Sequence, residues 1–334
     1  MKLFQSELAS ANQLMLHNYI IYLKHFARLL TSPAIMKAGH QCLLFYYTLL
    51  SVTFLCHGKD RSFNDDGDLI LPGSYNIPWM AGIEDFRTLS LISIPGSHDS
   101  MALHGGPEAK CQAWSLKDQL RAGIRFLDLK VFGLGNTLYV MHGVTYQHST
   151  LKDVLDTVRA FLSEFNSEAV LIRVQPESFE KNTVNEMVQS LIGDGQNVWV
   201  NPGMPNMGQV RGKIVFLQKS TFTLGIPFID TNGQSDEKVS SIKDKDSRIM
   251  TQLNQATEAC GGDNAVVTYT SGSGLGTFWG MFLTPKRVAE RINPWLNQYL
   301  RQFYPNQPRP CKGVIAMDFP SVDLIQTVID LNWW

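Results

Sequence analysis

The chain has 334 residues, 44% of them hydrophobic and 18% charged, with a formal net charge of −1. Such a composition supplies one large buried core or two moderate ones. A near-neutral balance gives no support for nucleic-acid binding or for a strongly electrostatic hold on a membrane.

The first 58 residues stand apart. Met36-Lys37 opens a short polar stretch, residues 42–56 (CLLFYYTLLSVTFLC) are apolar apart from hydroxyls, and Lys59-Asp60-Arg61 resumes a polar chain. A basic start, a short apolar run and a polar exit predict a secretory signal peptide over 36–58, behind an upstream extension over 1–35. The apolar run is shorter than the ~20 residues a helix needs to cross a bilayer, and a signal-anchor is the alternative. Residues 59–76, rich in Asp, Gly, Ser and Asn, predict a flexible lead-in, and the folded part is expected over 77–334.

Strand-like runs follow at 89–95, 125–131, 138–142, 169–175, 213–219, 265–270 and 313–318, with 227–230 the candidate for an eighth. The clearest helix is 151–165: Leu151, Val154, Leu155, Val158, Phe161, Leu162 and Phe165 recur at helical spacing behind Ser149-Thr150 as a cap. Residues 184–192, 285–300 and 322–331 also read as helices. This alternation, without internal repeats, predicts a single α/β domain of the (β/α)8 TIM-barrel type. Beyond the leader, Cys111, Cys260 and Cys311 allow one disulfide, with the pairing open, and no Cys/His cluster has zinc spacing.

Several polar residues fall at or near strand ends. In residues 91–100, LISIPGSHDS, an apolar strand runs into Pro95-Gly96 and then presents His98 and Asp99. A histidine there works as a base near neutral pH when a carboxylate orients it. Along GIRFLDLKVFG, period-two geometry puts Phe126, Asp128 and Lys130 on one face and Arg125, Leu127 and Leu129 on the other. His142 ends LYVMH, and Arg173, Gln175, Lys219 and Asp318 close later strands. Barrel active sites sit at the C-terminal ends of the strands. So many polar groups on one rim of an apolar barrel are costly to desolvate for structure alone.

Six segments, in this order, resemble the bacterial-type phosphatidylinositol-specific phospholipases C and their catalytic X domain: SIPGSHDSM, WSLKDQLRAGIRFLDLKVFG, MHG, NSEAVLIRVQPE, VRGKIVFLQK and VIAMDFP. The resemblance implies an irregular barrel that cleaves phosphatidylinositol, or glycosylphosphatidylinositol anchors, to diacylglycerol and inositol 1,2-cyclic phosphate with no cofactor. It implies His98 as general base oriented by Asp318, and His142 as general acid partnered by Asp99. Lys130, beside Asp128, stands where metal-independent relatives carry arginine and calcium-dependent relatives carry an acid, so metal independence is expected. Lys219 matches a basic inositol-binding residue, while Gln175 replaces a lysine. Arg173 shares the Gln175 face and either compensates or forms an internal ion pair with Asp128 or Glu177. Phe278 and Trp279, in the Gly-rich loop SGSGLGTFWGMF, match a membrane-entering loop, and Trp333-Trp334 is a second candidate. The expected protein is a secreted monomer acting at an inositol-lipid membrane, with no nucleic-acid partner. The rival readings are a calcium-dependent phosphodiesterase on the same barrel and a weakly active lipid-binding module.

Overall fold

The computed structural model describes residues 62–333 apart from 178–182, 231–237, 276, 278–279, 281 and 307. The leader expected over 1–58, and Phe278, Trp279 and Trp334, lie outside the described residues. No helix among the described residues is long and apolar enough to cross a membrane.

Among the described residues ten strands occur in chain order: β1 Ile94–Ser97, β2 Phe126–Leu134, β3 Thr137–His142, β4 Thr145–Thr150, β5 Ala169–Pro176, β6 Val198–Trp199, β7 Lys213–Gln218, β8 Ile226–Asp230, β9 Ala265–Tyr269 and β10 Val314–Met317. Seven of them, β1, β2, β5, β7, β8, β9 and β10, pair in parallel and close into a ring when β10 meets β1. This is an irregular TIM-type barrel with seven ring strands where the sequence predicted eight. The strand expected at 138–142 is β3, which runs antiparallel to β2 outside the ring and continues into β4. Its connection explains why. Only Gly135-Asn136 separates β2 from β3, and two residues can reverse a chain but cannot make the long crossover a parallel neighbour requires. The 227–230 segment does join the ring as β8. Pro227 has no N–H to donate, and the β7–β8 pairing is down to two residue pairs. The ring is equally thin between β1 and β2. That closure depends on Gly96, where an added Cβ would stand 2.6 Å from the Phe126 ring.

Among the described residues seven α-helices accompany the strands: α1 Leu116–Arg121, α2 Leu151–Glu164, α3 Thr183–Ile192, α4 Met207–Val210, α5 Ile242–Ala259, α6 Pro285–Arg301 and α7 Val322–Asp330. The clearest predicted helix is α2, started by a capping box between Thr150 and Asp153, with Leu151, Val154, Leu155, Val158, Phe161 and Leu162 buried. The 18-residue α5 has no counterpart among the predicted elements, because its buried face mixes Ile249, Leu253 and Ala256 with Lys245 and Gln252. Cys260, just past α5, is disulfide-bonded to Cys311, which leads into β10. Residues 62–76, read as a lead-in, touch the barrel at both ends: Phe63 bridges Pro320, and the Tyr75 hydroxyl donates to the Ala122 carbonyl.

Candidate active site

β1 delivers His98 to the C-terminal rim of the barrel, where its backbone is held from two sides. Its N–H donates to the Met317 carbonyl of β10, and its carbonyl accepts from Gln112 Nε2. Asp99, next in the chain, takes a left-handed φ of 38°. Asp and Asn tolerate that conformation better than other side-chain-bearing residues. Ser100 then ties the turn to β2, its hydroxyl accepting from the Asp128 N–H at 2.9 Å.

His98 Nδ1 lies 2.9 Å from Asp318 Oδ1, at the end of β10. The carboxylate makes Nδ1 the protonated nitrogen, so Nε2 is the nitrogen that faces the rim. Nε2 comes to 3.2 Å from Asp99 Oδ2, close enough for attraction, yet it is buried without an aligned hydrogen bond. Burial works against charge on this imidazole, but Asp99 and then Asp318 outweigh it and lift the His98 pKa to about 9.

Asp99 Oδ2 is a hub. Lys130 Nζ donates to it at 2.9 Å, and His142 Nε2 stands 3.3 Å away. Burial opposes ionisation of Asp99, but His98, Lys130 and His142 together hold its carboxyl well below the usual carboxylate range. His142 Nδ1 sits 2.6 Å from the Ala109 carbonyl, which can only accept. Nδ1 therefore carries a proton, and Nε2 is the atom left for chemistry. Asp99 was expected to serve His142. It lies against both histidines and Lys130.

A second cluster stands beside this one on the inner face. Arg173 Nη1 donates to both Asp128 oxygens, at 3.1 and 3.3 Å, and to the Tyr269 hydroxyl at 2.8 Å, while Nη2 reaches Gln175 Oε1 at 2.8 Å. Of the two carboxylates offered by the sequence, Asp128 is the ion-pair partner. Burial opposes charge on Arg173, but Asp128 and Tyr269 hold its pKa above the ordinary arginine value. Lys219 pairs with Asp230, its ammonium lying 5.1 Å from the centre of the Phe228 ring. Tyr269 and Asp230 were not singled out from the sequence. Tyr269 also meets His98 edge-on, with ring centroids 5.8 Å apart. Both residues end ring strands, and that position was the only signal available for finding them.

Leu275 and Phe282, in the loop after β9, are 41% and 74% exposed, so apolar surface reaches solvent beside the expected membrane-entering pair. Trp333 packs partly buried against the core.

The phosphatidylinositol-specific phospholipase C X domain matches this chain over residues 87–220. The 1-phosphatidylinositol phosphodiesterase of Listeria monocytogenes is 28% identical over 316 residues, covering 87% of this chain and 96% of that protein. Its counterpart from Staphylococcus aureus strain Newman is 24% identical, covering 76% and 93%. In structure, the phosphatidylinositol-specific phospholipase C from Listeria monocytogenes superposes with a TM-score of 0.68 at 26% identity, over 78% of this chain and all of the other. A Staphylococcus aureus phosphatidylinositol-specific phospholipase C reaches 0.64 at 21% identity, a likeness of fold. Residues 87–220 thus carry the X-domain match, and most of the chain is similar to bacterial phosphatidylinositol-specific phospholipases C.

Proposed function

We propose that this chain cleaves phosphatidylinositol, or the inositol lipid of a glycosylphosphatidylinositol anchor, without a metal ion, using His98 as base and His142 as acid. One observation carries the reading: two histidine Nε2 atoms converge on Asp99 beside the Lys130 ammonium. The inositol 2-hydroxyl attacks phosphorus as its proton passes to His98 Nε2, and Asp318 steadies the imidazolium that forms. The phosphorus–glycerol oxygen bond breaks as His142 Nε2–H protonates the leaving oxygen. The products are inositol 1,2-cyclic phosphate and diacylglycerol. Lys130 supplies positive charge for the phosphoryl oxygens, as a point charge and not a planar fork. Hydrolysis of the cyclic ester then follows with the histidines exchanging roles.

Arg173, Gln175 and Lys219 face the inositol ring in this reading, with Asp128 holding Arg173 in place. A calcium-dependent route has less support, because Lys130 neutralises Asp99 and Arg173 neutralises Asp128, the oxygens a calcium ion would need. Lys130 and Gln175 fit a weakly active binding module, but the two Nε2 atoms facing the rim favour turnover. Exposed Leu275 and Phe282 support contact with a lipid interface through the loop that also holds Phe278 and Trp279. The leader and the Cys260–Cys311 disulfide support export to an oxidising compartment.

Phosphorus NMR of phosphatidylinositol vesicles in excess chelator tests the proposal. A cyclic-phosphate signal is expected with the protein and not with His98→Ala. Signal only after calcium is added would overturn the metal-free route, and silence in both conditions from folded, vesicle-bound protein would favour the binding module.

A further inference from the structure

Cys111 takes no part in the disulfide, and its side chain has no role in the acid–base scheme. It is nevertheless built into the rim. Its N–H donates to the Ala102 carbonyl, and its carbonyl accepts from the Phe319 N–H just past Asp318. These two bonds hold the Cys111 backbone between the loop after β1 and the exit of β10. His98, Cys111 and Asp318 each bring one ligand-type atom to within 4.8 Å of the others, and all three residues are buried. Asp318 Oδ2 is buried there with no hydrogen-bond partner among the described residues, as is His98 Nε2.

Imidazole nitrogen, thiolate sulfur and carboxylate oxygen form a donor set for a borderline-soft divalent ion of the zinc type, which binds three protein ligands and keeps a fourth position open. The same set is poor for calcium or magnesium, which prefer oxygen throughout. Asp99, Cys111 and His142 make a similar group, but the Lys130 ammonium on Asp99 repels a cation from that side. Among the described residues, no such ammonium is bonded to the Asp318 carboxylate.

We propose that His98, Cys111 and Asp318 form an inhibitory site for zinc-type cations. Binding replaces the His98–Asp318 hydrogen bond with metal coordination: the Nδ1 proton of the His98 imidazolium and the Cys111 thiol proton both pass to solvent as nitrogen and sulfur become ligands, and Nε2 keeps its N–H. A coordinated His98 cannot take the proton of an attacking hydroxyl, so turnover stops. The inhibition rests on the acid–base reading of His98. The binding does not.

The test titrates the purified full-length protein with cobalt(II) alone, followed by absorbance, then repeats the titration with Cys111→Ser, Asp318→Asn and His142→Ala. A thiolate-to-cobalt band in the near ultraviolet is expected with the parent protein and with His142→Ala. Asp318→Asn should bind at least about tenfold more weakly. Cys111→Ser should give no such band, and added zinc should erase the parent's. In vesicle assays, each normalised to its own metal-free rate, Cys111→Ser should need at least about tenfold more zinc for half inhibition. Cys111→Ala replaces the serine variant if circular dichroism finds that one unfolded. Absence of the band in the parent, or its survival in the cysteine variants, overturns the site. A band that depends on His142 and not on Asp318 overturns the choice of ligands. A band without any metal-free cleavage of phosphatidylinositol overturns the catalytic reading and the inhibition while leaving the metal site standing.

Discussion

Two buried ion networks touch β2 and its approach, and they are completed to different degrees. Arg125 and Glu168 are both fully buried. Arg125 donates to Glu168, Leu120 O, Ile124 O and Ile77 O, and its guanidinium lies 4.6 Å from the centre of the Phe161 ring. Glu168 also accepts from the Met80 N–H and the Ser167 hydroxyl. At the other end of the strand, three cationic or basic groups crowd one oxygen of Asp99, while Asp99 Oδ1, His98 Nε2 and Asp318 Oδ2 have no hydrogen-bond partner among the described residues. A saturated network holds elements together, whereas unspent donors and acceptors on a rim are kept for something that arrives.

The largest expected effect probes the unspent network. His142→Ala should lower the rate of phosphatidylinositol cleavage by about 10²–10⁴-fold while shifting unfolding free energy by less than about 1 kcal/mol, since Asp99 keeps Lys130 and His98. Parallel activity assays and urea titrations check this, and a large stability loss would erase the contrast. Glu168→Ala should do the reverse. Leaving Arg125 buried and unpaired should cost about 3–5 kcal/mol in urea unfolding, with the rate per folded molecule unchanged.

A pH profile sharpens the comparison on the catalytic side. His98 has its pKa raised to about 9, above the ordinary 6.5, so its contribution to stability is complete below about 6.5 and disappears as pH rises through about 9. As a base it must be neutral, so kcat/KM should rise with pH and level off near 9. Removing one carboxylate with Asp318→Asn should move that limb to lower pH, and an unmoved limb would mean another group sets it. The smallest expected effect is a few-fold rise in kcat with Lys130→Arg, measured on vesicles, as a planar fork replaces a point charge.

Much of this was legible before any coordinates, and the exceptions have physical causes. The placing of His98 and Asp318 was readable because parallel ring strands ending in turn residues deliver side chains to one rim of a barrel. His142 instead ends the antiparallel β3 outside the ring, and its role was reached through the MHG resemblance. The sharing of Asp99 was not, because alternation along a strand stops where the chain enters the left-handed region at that residue. The hairpin of β3 was misassigned since an apolar run does not announce the direction in which it pairs. α5 was missed because buried Lys245 and Gln252 interrupt its apolar face. Lys219 was singled out without its partner Asp230, which lies on the next ring strand and pairs with it only when β7 and β8 come together.

The left-handed backbone at Asp99 also bears on how such a chain can drift. Two demands meet at one codon: a φ that few side chains accept, and a negative charge for three neighbours. Asn and Gly satisfy the first and forfeit the second, while Glu keeps the charge but resists the turn. No single replacement meets both, so a lineage that lost this aspartate would have to rebuild the turn and the charge together.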